Sequence, residues 1–209
     1  MTSRTDFIET WLSEMPMGIG KVGDNFFQLI DNNIRDYIKH GKEPTDLPNG
    51  FKKIQGSQVA YYWHEVQDVI TIAAEFTVKP QALVVNGVAR NKVTGGNIDA
   101  VDLYQCVLHD NAKSIKLMSD DRLSDDGYRL WQRLLQSGHT ISVYNNEQPG
   151  QPLRAIHTPQ DMENFFKRDD ASFKKWQYVL SEQGEKLAET RSYFNTRRMR
   201  ELSGQGTED

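Results

Sequence analysis

The chain has 209 residues, 37% hydrophobic and 26% charged, which suits one domain with a real core, or one domain with an appended segment. A net charge of −4 and a pI near 5.8 argue against general nucleic-acid binding, because neutralising phosphates needs a basic surface. The single cysteine, Cys106, excludes an internal disulfide framework. No apolar run approaches the roughly 20 residues of a membrane helix, and the opening MTSRTDFIETWL lacks the apolar core of a secretory signal. The expected location is cytoplasmic, without membrane attachment.

In chain order, Phe7, Ile8, Trp11, Leu12 and Met15 share one side of a first helix, which Pro16 stops. A glycine-rich turn, Met17 to Gly23, leads to Asp24, which can cap a second helix carrying Phe27, Ile30, Ile34, Tyr37 and Ile38 inward. Residues 40–50, with Pro44, Pro48 and Asn49-Gly50, are expected to be loop. Beyond Phe51 the β-branched and aromatic runs Val59 to His64, Val69 to Val78 and Ala82 to Ala89 predict strands, joined as a meander with a turn at Lys79-Pro80-Gln81. In the middle run, alternation puts Ile70, Ile72, Ala74, Phe76 and Val78 on one face and Thr71, Ala73, Glu75 and Thr77 on the other. A helix around Ile98 to His109 follows, then a strand from Ser114 to Met118 and a helix from Leu123 to Gln136 with Trp131, Leu134 and Leu135 inward. Gly138 ends that helix, His139 to Tyr144 is a strand, and Pro152 to His157 is one more. From Pro159 to about Leu202 the chain is expected to be helical and highly charged. A meander followed by crossover helices implies an α/β (α+β) fold: a mixed, mainly antiparallel sheet with helices on both faces.

This order resembles that of the GNAT acetyltransferases, and one local motif supports it. In that family the last crossover helix tends to read Asn-x-x-Ala-x-x-Leu-Tyr, with Gly-Phe opening the next strand a few residues later. Here Ser124, Gly127, Leu130, Trp131 and Leu134 hold the same register, with about one extra turn before Gly138-His139. The resemblance covers roughly residues 51–157 and extends to small divergent GNAT-like proteins of tailed phages. It implies a GNAT-like domain over residues 1–158 and a C-terminal helical extension over 159–209. For an active member it implies acetyl-CoA as the acyl donor.

The family holds the cofactor pyrophosphate in a loop that opens a helix, where bare backbone N–H groups and the helix dipole face the phosphates. The matching stretch runs from Val88 to Ile98. Arg90, Lys92, Gly95, Gly96 and Asn97 are its candidate cofactor-binding residues, although the glycine spacing departs from the family pattern. The alternative is a plain connecting loop with Asn97 as helix cap. The family tyrosine that protonates the departing thiolate is replaced by Trp131, whose indole N–H is not a useful acid, so Tyr128 is the candidate acid. Glu75, interrupting an apolar strand, is the candidate general base. These departures favour a domain that has lost efficient acyl transfer and serves as a binding or structural protein, with no required cofactor. An active divergent acyl-CoA-dependent N-acyltransferase is the alternative. The partner of a phage-encoded member would be a virion component or a host protein.

Other motifs add little. Gly18-Ile-Gly20-Lys-Val-Gly23 matches a dinucleotide fingerprint but follows a helix, where a true one follows a strand. His40, His64, His109, His139 and His157 are scattered without metal-ligand spacing, so no metal site is expected. Cys106 is expected to pack, with His109 one turn away on the same helix. In the tail, Phe173, Trp176, Tyr193 and Phe194 supply aromatic surface for a protein partner or for self-association. Residues 160–209 hold nine Lys/Arg against ten Asp/Glu, so Arg197, Arg198 and Arg200 are better explained as favourable charge near a helix C-terminus than as a phosphate site.

Overall fold

The fold is set by long β-branched and aromatic runs whose two faces are both apolar, which obliges a sheet covered on two sides. The computed structural model describes residues 24–93, 98–111, 115–120, 123–148, 153–166 and 175–181. Among these, helix α1 (Asp24–Lys39) precedes a short strand β1 (Thr45–Asp46), a 3-10 turn (Pro48–Gly50) and the meander β2 (Phe51–Gln55), β3 (Val59–Val66), β4 (Val69–Lys79) and β5 (Ala82–Arg90). Then come α2 (Ala100–Asp110), β6 (Lys116–Met118), α3 (Asp125–Gln136), β7 (Thr140–Asn145), β8 (Arg154–Ile156), α4 (Pro159–Glu163) and β9 (Trp176–Ser181). The protein is α+β, and the nine strands among the described residues are ordered β1-β2-β3-β4-β5-β6-β9-β7-β8. Every strand pair is antiparallel except β5 with β6.

Two cores flank the sheet. On one face α1 presses Ile30 and Ile34 onto Ile54, Tyr61, Trp63, Ile70 and Ala73. Phe26 of α1 lies on Gly87 of β5, where a Cβ would collide with its ring. On the other face α2, α3 and α4 cover the larger core, in which Leu83, Leu117, Leu180, Ile141 and Ile156 form one row across five strands. Trp131, 1% exposed, packs between Tyr104 and Tyr178 at ring-centroid distances of 6.3 and 5.7 Å. Ser124 caps α3 by accepting from the Gly127 N–H. Gly138, with φ of 86°, ends that helix, and His139 N–H returns to the Leu134 carbonyl at 3.1 Å.

The structure corrects several expectations. Thr71 is an extra residue in β4 opposite His64 and Glu65, so alternation breaks and Ile70 faces α1 while Ile72 faces the other core. Ile38 is 42% exposed, beyond the inward stripe of α1. The expected loop over residues 40–50 contains β1 and a 3-10 turn. The largest correction is the tail. Residues 176–181 are not helical but form β9, inserted between β6 and β7. The sheet therefore crosses the boundary expected at residue 158. The apolar residues Trp176, Val179 and Leu180 suit either a helix stripe or a two-sided central strand, and pairing with two neighbours decides for the strand. The expected helix over residues 7–15 and residues 182–209 of the expected extension lie outside the described residues.

Two outcomes follow. Trp131→Ala should lower unfolding free energy by roughly 3–5 kcal/mol through a core cavity, measured by chemical denaturation. A chain ending at residue 158 should fail to show cooperative unfolding, because β6 and β7 would lose the strand that joins them.

Candidate functional site

The parallel pair β5–β6 is short. Ala82, Leu83 and Val84 pair with Lys116, Leu117 and Met118, after which β5 runs on to Arg90 while β6 stops. Asn86 is an extra residue opposite Glu75 and Phe76, and this bulge bends β5 where the two strands part. Beyond Arg90 the chain turns into the N-terminus of α2, and this end of the sheet is the candidate site.

Asp99 occupies that N-terminus. Its carboxylate accepts from the Val101 and Asp102 N–H groups at 2.7 and 3.2 Å, and Asp102 accepts from the Asp99 N–H at 2.8 Å. This is a capping box that fills the first turn with two carboxylates. Arg133 of α3 forms an ion pair with Asp99. The cap is thus Asp99 and not Asn97, since the helix begins at Ala100. Arg90 spends one guanidinium nitrogen on the Ile98 carbonyl at 2.6 Å, tying the two ends of the loop together. Lys92 is exposed. Gly95, Gly96 and Asn97 lie outside the described residues. Asp99-x-x-Asp102 was legible as capping-box spacing, and sequence reasoning missed it in favour of the nearby glycines.

Glu75 is half-buried on the α1 face, paired across the sheet with Tyr61 and Gly87. Asn86 Nδ2 donates to its Oε1 at 2.9 Å, and Thr77 Oγ1 donates to Asn86 Oδ1 at 2.8 Å. Burial, reinforced by the Glu75 charge, holds the Tyr61 phenol well above its ordinary range. Tyr128 belongs to the opposite side. Its ring stacks on Phe166 at 4.2 Å with planes 5° apart, against the core under α3. Burial, with a smaller contribution from Glu163, raises its pKa. The two candidate catalytic residues therefore pack against different cores, on opposite faces of the sheet.

A second polar group, unforeseen from sequence, joins the C-terminus of α2 to the meander. Asp110 accepts from Lys53 Nζ and Tyr62 Oη, both at 2.7 Å, and Asn111 Nδ2 donates to Tyr62 Oη at 2.9 Å. Cys106, nearby on α2, has its thiol pushed up to about 11 by burial and by Asp110, against a smaller lowering by Lys53. No cluster of metal-ligating residues occurs among the described residues, and no described helix is long and apolar enough to cross a membrane. Trp176, expected at a partner surface, packs edge-on against Phe165 at 4.9 Å, with the Arg154 guanidinium 5.7 Å from its ring centre. Phe173, Tyr193 and Phe194 lie outside the described residues. Comparisons with protein-family models, with curated proteins and with solved structures find no match.

Asp99→Ser should retain the cap and cost less than about 1 kcal/mol, whereas Asp99→Ala should cost about 1 kcal/mol more, read by thermal unfolding. With its thiol near 11, Cys106 holds roughly one part in a thousand as thiolate at pH 8. Alkylation by iodoacetamide should be slow there and accelerate about tenfold per pH unit up to that value.

Proposed function

We propose that this chain is a GNAT-like domain that has lost efficient acyl transfer and acts as a binding or structural protein. The order of elements supports the relationship: a helix, a meander, then strands and helices alternating, with the crossover helices α2 and α3 on one face. The observation that carries the loss of function is the occupation of α2's N-terminus by Asp99 and Asp102. An active relative would present that terminus, with its bare N–H groups and positive dipole end, to a pyrophosphate. Here a carboxylate has taken the N–H groups, and a diphosphate brought to the same place would meet like charge. Arg133 and Arg90 answer partners within the chain. The separation of Glu75 from Tyr128 and the enclosure of Trp131 argue the same way, since no acid and base converge from the candidate positions.

The partner in this reading is a protein, of virion or host origin if the chain is phage-encoded, or a second copy. The contact would be made through Phe173, Tyr193 and Phe194 of the tail. The competing reading, a divergent acyl-CoA-dependent N-acyltransferase using Glu75 as base, predicts tight cofactor binding. Calorimetric titration with acetyl-CoA separates the two. The expected dissociation constant is millimolar or weaker, about 4 kcal/mol or less. Low-micromolar binding that disappears when Arg90 and Gly96 are both substituted would establish the enzyme reading instead.

The tail is tested separately. Replacing Tyr193 and Phe194 with serine should leave the melting temperature near that of the parent and abolish concentration-dependent self-association in sedimentation measurements. A strictly monomeric parent, with a double variant that melts far lower, would show that these residues cover their own domain.

A further inference from the structure

We infer that the N-terminal stretch Phe7–Met15 docks on the half of the sheet that α1 leaves open, across β6, β9 and β7. The face in question follows from register. Val84, Met118, Val179, Ser142 and Ala155 are cross-strand neighbours in one row, opposite to the row Leu83-Leu117-Leu180-Ile141-Ile156 that α2, α3 and α4 cover. Among the described helices, α1 lies over β4 and β5, and the other three sit on the opposite face. Val179 is nevertheless only 2% exposed, and it belongs to neither core. A valine on an uncovered sheet face cannot be so enclosed by its strand neighbours alone. Its enclosure therefore calls for a cover that none of the described helices supplies.

The position of α1 selects the segment. Phe26, near the start of that helix, rests on Gly87 of β5, and Tyr37, near its end, packs on Tyr61 of β3 with ring centroids 5.6 Å apart. The helix thus starts over β5, beside the open half, and runs away from β6. From β5 to β7 is three strand spacings in the order β5-β6-β9-β7, about 14 Å. The connector Pro16–Gly23 spans up to about 26 Å when extended. Ahead of it, Phe7, Ile8, Trp11, Leu12 and Met15 recur at helical spacing, with Glu9 and Glu14 between them, so one apolar side is available to cover Val179 and Met118.

The test is disulfide trapping in the full-length chain with Cys106→Ala. The pair Leu12→Cys and Ser142→Cys should form an intramolecular bond at least about tenfold faster than the pair Phe194→Cys and Ser142→Cys, because docking raises the effective concentration of the two thiols. Faster trapping of the Phe194 pair would assign the face to the tail. Bonds formed only between molecules would assign it to a second copy, and comparable slow trapping of both pairs would leave neither segment docked. Each of these three outcomes overturns the inference.

Discussion

The sheet is continuous because β9 is inserted between β6 and β7. Without it, the meander with β6 would be one sheet and the β7–β8 hairpin another. Pairing on both edges carries Leu180 into register with Leu117 on one side and Ile141 on the other, which completes the apolar row beneath α2 and α3. Tyr178 from the same strand meets Trp131, and its hydroxyl donates to the Met162 carbonyl at 3.0 Å, so β9 also fixes α3 and α4. Ser119 ties the end of β6 to this arrangement: its Oγ accepts from the Tyr178 N–H at 2.9 Å, and its N–H donates to the Tyr178 carbonyl at the same distance. A residue some 60 positions away in the chain thereby finishes a parallel strand only three residues long. Such long-range pairing carries the loop-closure cost of non-local contacts and ties folding to the end of the described chain.

Electrostatics at one helix terminus join the two helices α2 and α3. A helix N-terminus carries unsatisfied N–H groups and a partial positive charge, and these can be answered from within the chain or by an anionic ligand. In this protein Asp99 and Asp102 answer them from within, and Arg133 balances Asp99 across the gap to α3. The result ties α2 to α3 and leaves those donors answered from within the chain.

The two faces of the sheet are covered in different ways. Three described helices lie over one face, whose core runs from Phe51 of β2 to Ile156 of β8, while among the described helices α1 alone lies on the other, over the meander, with Gly87 admitting the ring of Phe26. The polar chain Thr77-Asn86-Glu75 lies at this face, where Asn86 bulges out of β5. The bulge gives Asn86 the freedom to serve both neighbours, and its amide donates to the carboxylate that interrupts this strand.

Much of this was legible in sequence. Val59–Val66, Val69–Lys79 and Ala82–Arg90 are dense in β-branched and aromatic residues, and Trp131 and Leu134 repeat at helical spacing beneath a Ser124 cap, so local chemistry alone determined the meander and α3. The same composition fixed the absence of a disulfide framework and made a two-faced sheet necessary. What local pattern could not supply was anything that depends on a distant partner. Trp176–Ser181 is apolar at both helical and strand spacings, and only the edges offered by β6 and β7 made it a strand. Thr71 and Asn86 became bulges because of the register of opposing strands, which moved Ile70 to the α1 side. Glu75 and Tyr128 were both plausible site residues by type, and the sheet placed them against separate cores. Tertiary structure decided these points because backbone hydrogen bonds in a sheet are made between segments far apart in sequence, whereas helix spacing and caps are satisfied within a few residues of themselves.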